Sequence, residues 1–169
     1  MFPWYECEGP ILWWSPDPRM VLFPDAFHCS RRLARRMRQG HLRLSTDSDF
    51  AGVMHGCADR PEGTWIHAGM LAAYQRLFDA GYAHSIEVRQ AGVLVGGLYG
   101  VRIGGVFFAE SMFSRVTDAS KMAMAHLVRL AEDKAWAMID CQFHTAHLLS
   151  LGAVEICRED FLRRLAEAV

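Results

Sequence analysis

The chain has 169 residues, 51% of them hydrophobic, and a formal net charge of −1. This suits one ordinary globular domain large enough to bury a real core. No apolar run approaches the length that crosses a bilayer, and Met1-Phe2-Pro3-Trp4 lacks the basic, then apolar, profile of a secretory leader. The five cysteines, at positions 7, 29, 57, 141 and 157, form no CxxC pair, so neither disulfides nor a zinc site is expected and a reducing cytosol fits. Eight histidines add no HxxxH or Cys–His pairing in a metal-site context.

In chain order, Ile11 to Trp14 and Met20 to Phe23 are predicted strands around a Ser-Pro-Asp-Pro turn. Residues 30–39 form a predicted helix with Ser30 as N-cap and Gly40 at C′. A strand over His41 to Ser45, a short helix over Asp49 to Cys57 and a longer one over Met70 to Ala80 follow. Ala83 to Val88, Val93 to Val101 and Val106 to Ser111 are three strands with glycine turns at Gly92 and Gly104-Gly105, an antiparallel meander. Asp118 is expected to cap a long helix reaching Asp133. Trp136 to Ile139 is a strand, 144–151 a short helix, Val154 to Cys157 a strand and Phe161 to Ala168 a terminal helix. The order predicts an α/β protein with a mixed, largely antiparallel sheet flanked by helices.

Three constellations carry chemistry. Sixteen of the eighteen basic residues are Arg, and six lie between Asp25 and Asp47 with no acid among them. On the 30–39 helix, Arg31, Arg32, Arg35, Arg36 and Arg38 share one arc opposite Leu33, Ala34 and Met37. That is either a solvated face or a grip for RNA phosphates, and unmixed positive charge favours the second. Phe2, Trp4, Tyr5, Trp13, Trp14, Trp65 and Tyr74 form an aromatic set that packs a core or stacks the unpaired bases of an RNA end. Finally, Glu110, Asp140 and Gln142 end apolar strands. There they either bond backbone amides or handle an amine that carries protons. Strand alternation would point Asp140 and Gln142 the same way and Cys141 into the core.

Eight segments, in order, resemble the leucyl/phenylalanyl-tRNA–protein transferase family. They are Trp13-Trp14-Ser15-Pro16-Asp17-Pro18-Arg19, Thr64-Trp65-Ile66, Ala83-His84-Ser85-Ile86-Glu87, Leu94 to Val101, Glu110-Ser111-Met112-Phe113-Ser114, Asp118-Ala119-Ser120-Lys121, Ile139-Asp140-Cys141-Gln142 and Ser150-Leu151-Gly152-Ala153. The resemblance implies an acetyltransferase-like (GNAT) fold and transfer of Leu or Phe, and possibly Met, from aminoacyl-tRNA to the N-terminal Arg or Lys of acceptor proteins. That reaction marks proteins for N-end-rule degradation in the cytoplasm. The ester is already activated, so no cofactor, ATP or metal is implied, and no membrane partner. Chain 1–169 is expected to be the aminoacyltransferase domain, with the family's further N-terminal segment absent and 1–25 its remnant. Small departures are Ala109 in place of the usual Gly and Arg89 in place of the common Trp.

Residue by residue, the resemblance implies that Asp140 and Gln142 are the catalytic pair and that Glu110 binds the acceptor. Trp4 would hold the terminal adenosine, and Trp65 and Tyr74 would line the aminoacyl side. Phe107, Met112 and Ile139 would border an apolar side-chain pocket, and the arginine helix would bind the tRNA body. The alternatives are an acyl-CoA-dependent N-acetyltransferase of the same fold, whose Arg/Gln-x-x-Gly-x-Gly/Ala loop is missing here, and a noncatalytic RNA-binding module, which leaves Glu110 and Asp140 without a role.

Overall fold

The computed structural model describes residues 1–5, 9–61 and 63–169. Short strands β1 (Phe2–Pro3) and β2 (Trp13–Trp14) pair with each other. Then come β3 (Arg19–Leu22), α1 (Arg31–Arg38), β4 (Arg43–Thr46), α2 (Phe50–Ala58) and α3 (Ala68–Asp79). The meander is β5 (Ala83–Gln90), β6 (Val93–Ile103) and β7 (Val106–Ser114). After it follow α4 (Ala119–Asp133), β8 (Met138–Gln142), α5 (Ala146–Leu149), β9 (Val154–Ile156) and α6 (Arg158–Ala168).

Seven strands form one sheet in the order β4-β5-β6-β7-β8-β3-β9. All neighbours run antiparallel except β7 and β8, which the α4 crossover makes parallel. This is the expected mixed sheet, and a meander joined through one helix to a parallel strand is the acetyltransferase-like arrangement. The apolar alternation of β5–β8 divides the core between the two faces. On one, Ile86, Leu98, Phe107, Ala109, Ile139 and Cys141 pack under α4. On the other, Tyr99 and Ala83 meet α2 and α3, while Val106 and Met138 meet Phe161 of α6.

Local signals act as their chemistry requires. The Ser30 hydroxyl accepts from the Leu33 amide and caps α1, and Gly40 takes the left-handed conformation just beyond it (φ 67). Asp118 behaves differently: it precedes α4 in a left-handed conformation with no side-chain cap bond. Its carboxylate instead lies 3.5 Å from Arg32. No helix among the described residues is long and apolar enough to cross a membrane.

Two bulges shape the sheet where its apolar strands end. Tyr99 pairs with Ser111 but Gly100 pairs with Ala109, so Glu110 is an extra residue in β7. A Cβ at Gly100 would strike the Phe108 carbonyl oxygen; the glycine is what lets the strands approach at the bulge. Likewise Val21 pairs with Asp140 and Met20 with Gln142, leaving Cys141 as the extra residue in β8.

Candidate active site

The β8 bulge accounts for the geometry of its polar end. Past Cys141 the chain turns into the left-handed region at Gln142 (φ 59), a conformation costing a non-glycine residue about 1 kcal/mol or more. A backbone bond offsets it: the Gln142 amide donates to Asp140 Oδ1 at 3.0 Å. Asp140 thus fixes Gln142 through its main chain. The Gln142 side-chain amide is buried, and its Nε2 has no hydrogen-bond partner among the described residues. Cys141 points into the α4-side core, where burial pushes its thiol well above the ordinary range. That is the reverse of what a nucleophile needs.

Asp140 is fully buried, and so is its partner, which sequence reasoning left unassigned. Arg19 donates from Nε to Oδ1 at 2.8 Å and from Nη2 to Oδ2 at 2.6 Å. Their side chains are 1% and 0% exposed. Such a two-pronged pair satisfies both charges with fixed geometry. Removing one partner of a buried pair typically costs about 3–5 kcal/mol. The guanidinium carbon lies over two rings, 5.2 Å from the Phe2 ring centre and 4.8 Å from that of Phe161. A signal did exist: Arg19 opens the apolar run Met20-Val21-Leu22, and Asp140 closes another, so two adjacent strands carry complementary charges.

Glu110 is presented by the β7 bulge into a cavity of ≈ 720 Å³ between α3, α6 and the N-terminal segment. Its walls include Met70, Tyr74, Leu77, Phe108 and Leu165. Burial raises the Glu110 carboxyl to about 7; the bond from Tyr74 opposes the shift, the Asp140 charge adds to it, and Arg19 draws it back. A carboxyl titrating near neutrality in an apolar cleft marks a candidate functional group. Tyr74 donates to this carboxyl, and burial first, then Glu110, pushes its phenol far up.

A second cavity, ≈ 850 Å³, is lined by Trp4, Tyr5, Leu12, Trp14, Trp65 and His67, among others. Tyr5 borders both cavities. Trp4 and Trp65 therefore line one groove. The Trp4 ring lies 5.6 Å from Phe143 and 6.1 Å from Trp14, which ties this groove to the residue following Gln142. Trp14 donates to the Trp4 carbonyl at 2.8 Å.

Phe107 and Ile139 sit elsewhere. Both are buried under α4, with Phe107 stacked on Trp136 at 5.7 Å, and Met112 packs at that core's edge. None of the three lines the open cavity, which Phe108 borders. On α1, Arg31, Arg32, Arg35 and Arg38 are exposed, Arg36 is half-buried and Leu33 is buried against the α4 side. No group of three or more metal-binding side chains occurs among the described residues.

The molecule is thus a mixed α/β sheet with an apolar cleft and a buried charged pair at its strand ends. Two solved structures share the fold. L-PGS from Bacillus licheniformis aligns with a TM-score of 0.50 at 10% identity, over 77% of this chain and 46% of that one. A conserved protein of unknown function from Bacteroides thetaiotaomicron aligns at 0.53 with 13% identity, over 79% and 53%. The likeness in sequence is far closer. Residues 21–166 match the family described as leucyl/phenylalanyl-tRNA protein transferase. A leucyl/phenylalanyl-tRNA–protein transferase from Nitrosospira multiformis is 55% identical over 172 residues, covering 100% of this chain and 74% of the relative. One from Thiobacillus denitrificans is also 55% identical, over 100% and 75%. The chain belongs to this family, and it is an aminoacyltransferase.

Proposed function

We propose that the protein moves Leu or Phe from aminoacyl-tRNA onto the N-terminal Arg or Lys of acceptor proteins in the cytoplasm, so marking them for degradation by the N-end rule. The observation that carries this reading is the gathering near the ends of β7 and β8 of an aromatic groove, a buried side-chain amide without a partner among the described residues and a near-neutral carboxyl. In this reading the terminal adenosine stacks between Trp4 and Trp65, next to Phe143. The ester carbonyl then lies at Gln142.

The reaction needs an unprotonated α-amine at that carbonyl, and placement supplies much of the rate. An amide is a feeble base, so Gln142 positions the amine. Asp140, with both oxygens held by Arg19, orients Gln142. Glu110 attracts the acceptor's cationic first residue, whose methylene stem lies along the apolar walls shared with Tyr74. In this reading the transferred side chain enters beside Met112, at the edge of the α4-side cluster that Phe107 and Ile139 fill. Met112 with the neighbouring Met122 and Met124 can repack around either Leu or Phe. Such a site distinguishes large apolar side chains from small ones but separates Leu from Phe or Met only weakly. Arg31, Arg32, Arg35, Arg36 and Arg38 hold the tRNA body through phosphates, which position without reading sequence.

A mass-spectrometric assay tests this directly. The purified protein is incubated with Leu-tRNA or acetyl-CoA and a peptide beginning with Arg. Addition of Leu to the peptide is the expected result; acetylation, or no addition with either donor, would reject the reading.

A further inference from the structure

We infer that Arg19, packed against Phe2 and Phe161, is a positioning residue that sets the transfer rate by fixing Asp140 and, through it, the backbone of Gln142. This rests on the transferase reading above. Arg19 and Asp140 face each other across adjacent antiparallel strands at the β8 bulge. One carboxylate oxygen, Oδ1, serves both partners: it accepts from Arg19 Nε at 2.8 Å and from the Gln142 backbone at 3.0 Å. Turning the carboxylate would break both contacts. The Gln142 backbone sits in a conformation that a glutamine adopts only when held (φ 59). The chain of restraint runs from two aromatic rings to a guanidinium, to a carboxylate, to the strained backbone that carries the Gln142 side chain.

The second ring places part of that chain outside the cleft. Phe161 belongs to α6, is 3% exposed, and is not among the residues lining either cavity described above. A buried guanidinium that touches two rings and bonds through a fork has little room to turn. Lysine at position 19 would keep the charge but supply only a point donor, losing the fork and the stacking. Arg19 touches no reacting atom in this scheme, so its effect should appear in turnover rather than in substrate capture.

The test compares Arg19→Lys, Phe161→Leu, Asp140→Asn and the Arg19→Lys/Asp140→Asn double variant in the Leu-tRNA and Arg-peptide assay, with folding checked by circular dichroism. Arg19→Lys should lower kcat about tenfold or more while KM for Leu-tRNA stays within about twofold. Phe161→Leu, which leaves the pair itself intact, should lower kcat by about threefold, again with little change in KM. The double variant should be no slower than Asp140→Asn alone, because the two residues act as one unit. Wild-type kcat in folded Arg19→Lys would overturn the inference, as would a double variant whose loss is the product of the single losses. Should Arg19→Lys not fold, Phe161→Leu decides, and unchanged kcat there would overturn it. An inactive wild-type protein would instead reject the transferase reading, so the two failures are distinct.

Discussion

Asp140 and Glu110 lie on neighbouring strands, each beside a bulge, yet their surroundings treat them in opposite ways. Asp140 has a fixed countercharge and a backbone donor. Glu110 has an apolar cavity, one phenol and the repulsion of Asp140 itself, and it rises to about 7. Glu87, buried in β5 far from either cavity, is a useful third case. It accepts from the hydroxyls of Ser45, Ser48 and Ser85 at 2.6, 2.7 and 2.5 Å, and from the Ser48 and Asp49 amides at 3.4 and 3.3 Å. Burial of an acid is therefore no mark of a site here. What separates the three is compensation: Glu87 is saturated and structural, Asp140 is paired and orienting, and Glu110 is left short of partners and open to a cation from outside.

Breaking the Asp140 side of this comparison should produce the largest effect. Asp140→Asn leaves the Arg19 guanidinium buried without its counterion and slackens Gln142. Transfer should fall at least about tenfold, roughly 1.4 kcal/mol of barrier. Folding stability should fall by about 3–5 kcal/mol in a urea titration. A variant with wild-type stability and turnover would remove Asp140 from the mechanism.

Glu110 should respond with the other sign. Its folded pKa of about 7 stands above the ordinary 4.5, so the folded state binds more protons than the unfolded state between those values. Stability contributed by the protonated carboxyl is then present below pH 4.5 and is lost as pH rises toward 7. Glu110→Gln keeps the shape and removes that loss. It should stabilise the protein at pH 8 relative to pH 5 by on the order of 2–3 kcal/mol, read as the difference between melts of variant and wild type. Equal effects at the two pH values would mean that Glu110 is no more strained by burial than an ordinary surface acid.

Surface charge provides the weakest contrast, since exposed groups act through screened attraction. Replacing Arg31, Arg35 and Arg38 by Gln should leave the stability nearly unchanged. It should flatten the dependence of log affinity for tRNA on log salt by roughly two to three units of slope. An unaltered slope would mean that α1 faces something other than RNA.

Much of the frame was legible because it depends on local rules. Ser30 and Gly40 bracket α1, the glycine turns mark the meander, and the apolar spacing of Met122, Leu127 and Leu130 marks α4. The site was legible only in part. Glu110, Asp140, Gln142, Trp4 and Trp65 stand at the two cavities or the strand ends between them, but the arrangement of the acids depends on two inserted residues that composition does not reveal. The bulge at Cys141 cancels the simple alternation that would put Asp140 and Gln142 on one face. Face parity in the sheet likewise places Phe108, and not Phe107, in the open cavity. Arg19 was missed because its strand was read as beginning at Met20, which left a core residue in a turn. Its partner is 121 positions away, a distance at which only pairing of β3 with β8 makes the match.

The division of labour between the two acids is tested most directly by the apparent KM for an Arg-peptide measured from pH 5.5 to 8.5, in wild type and in Glu110→Gln. A Glu110 that binds the acceptor's cation only when ionised predicts that wild-type KM falls as pH rises through about 7. In Glu110→Gln, KM should be uniformly high and flat across the range, with KM for Leu-tRNA unaffected. A wild-type KM that does not change near pH 7, or a variant that loses affinity for Leu-tRNA and keeps it for the peptide, would contradict the role given to Glu110.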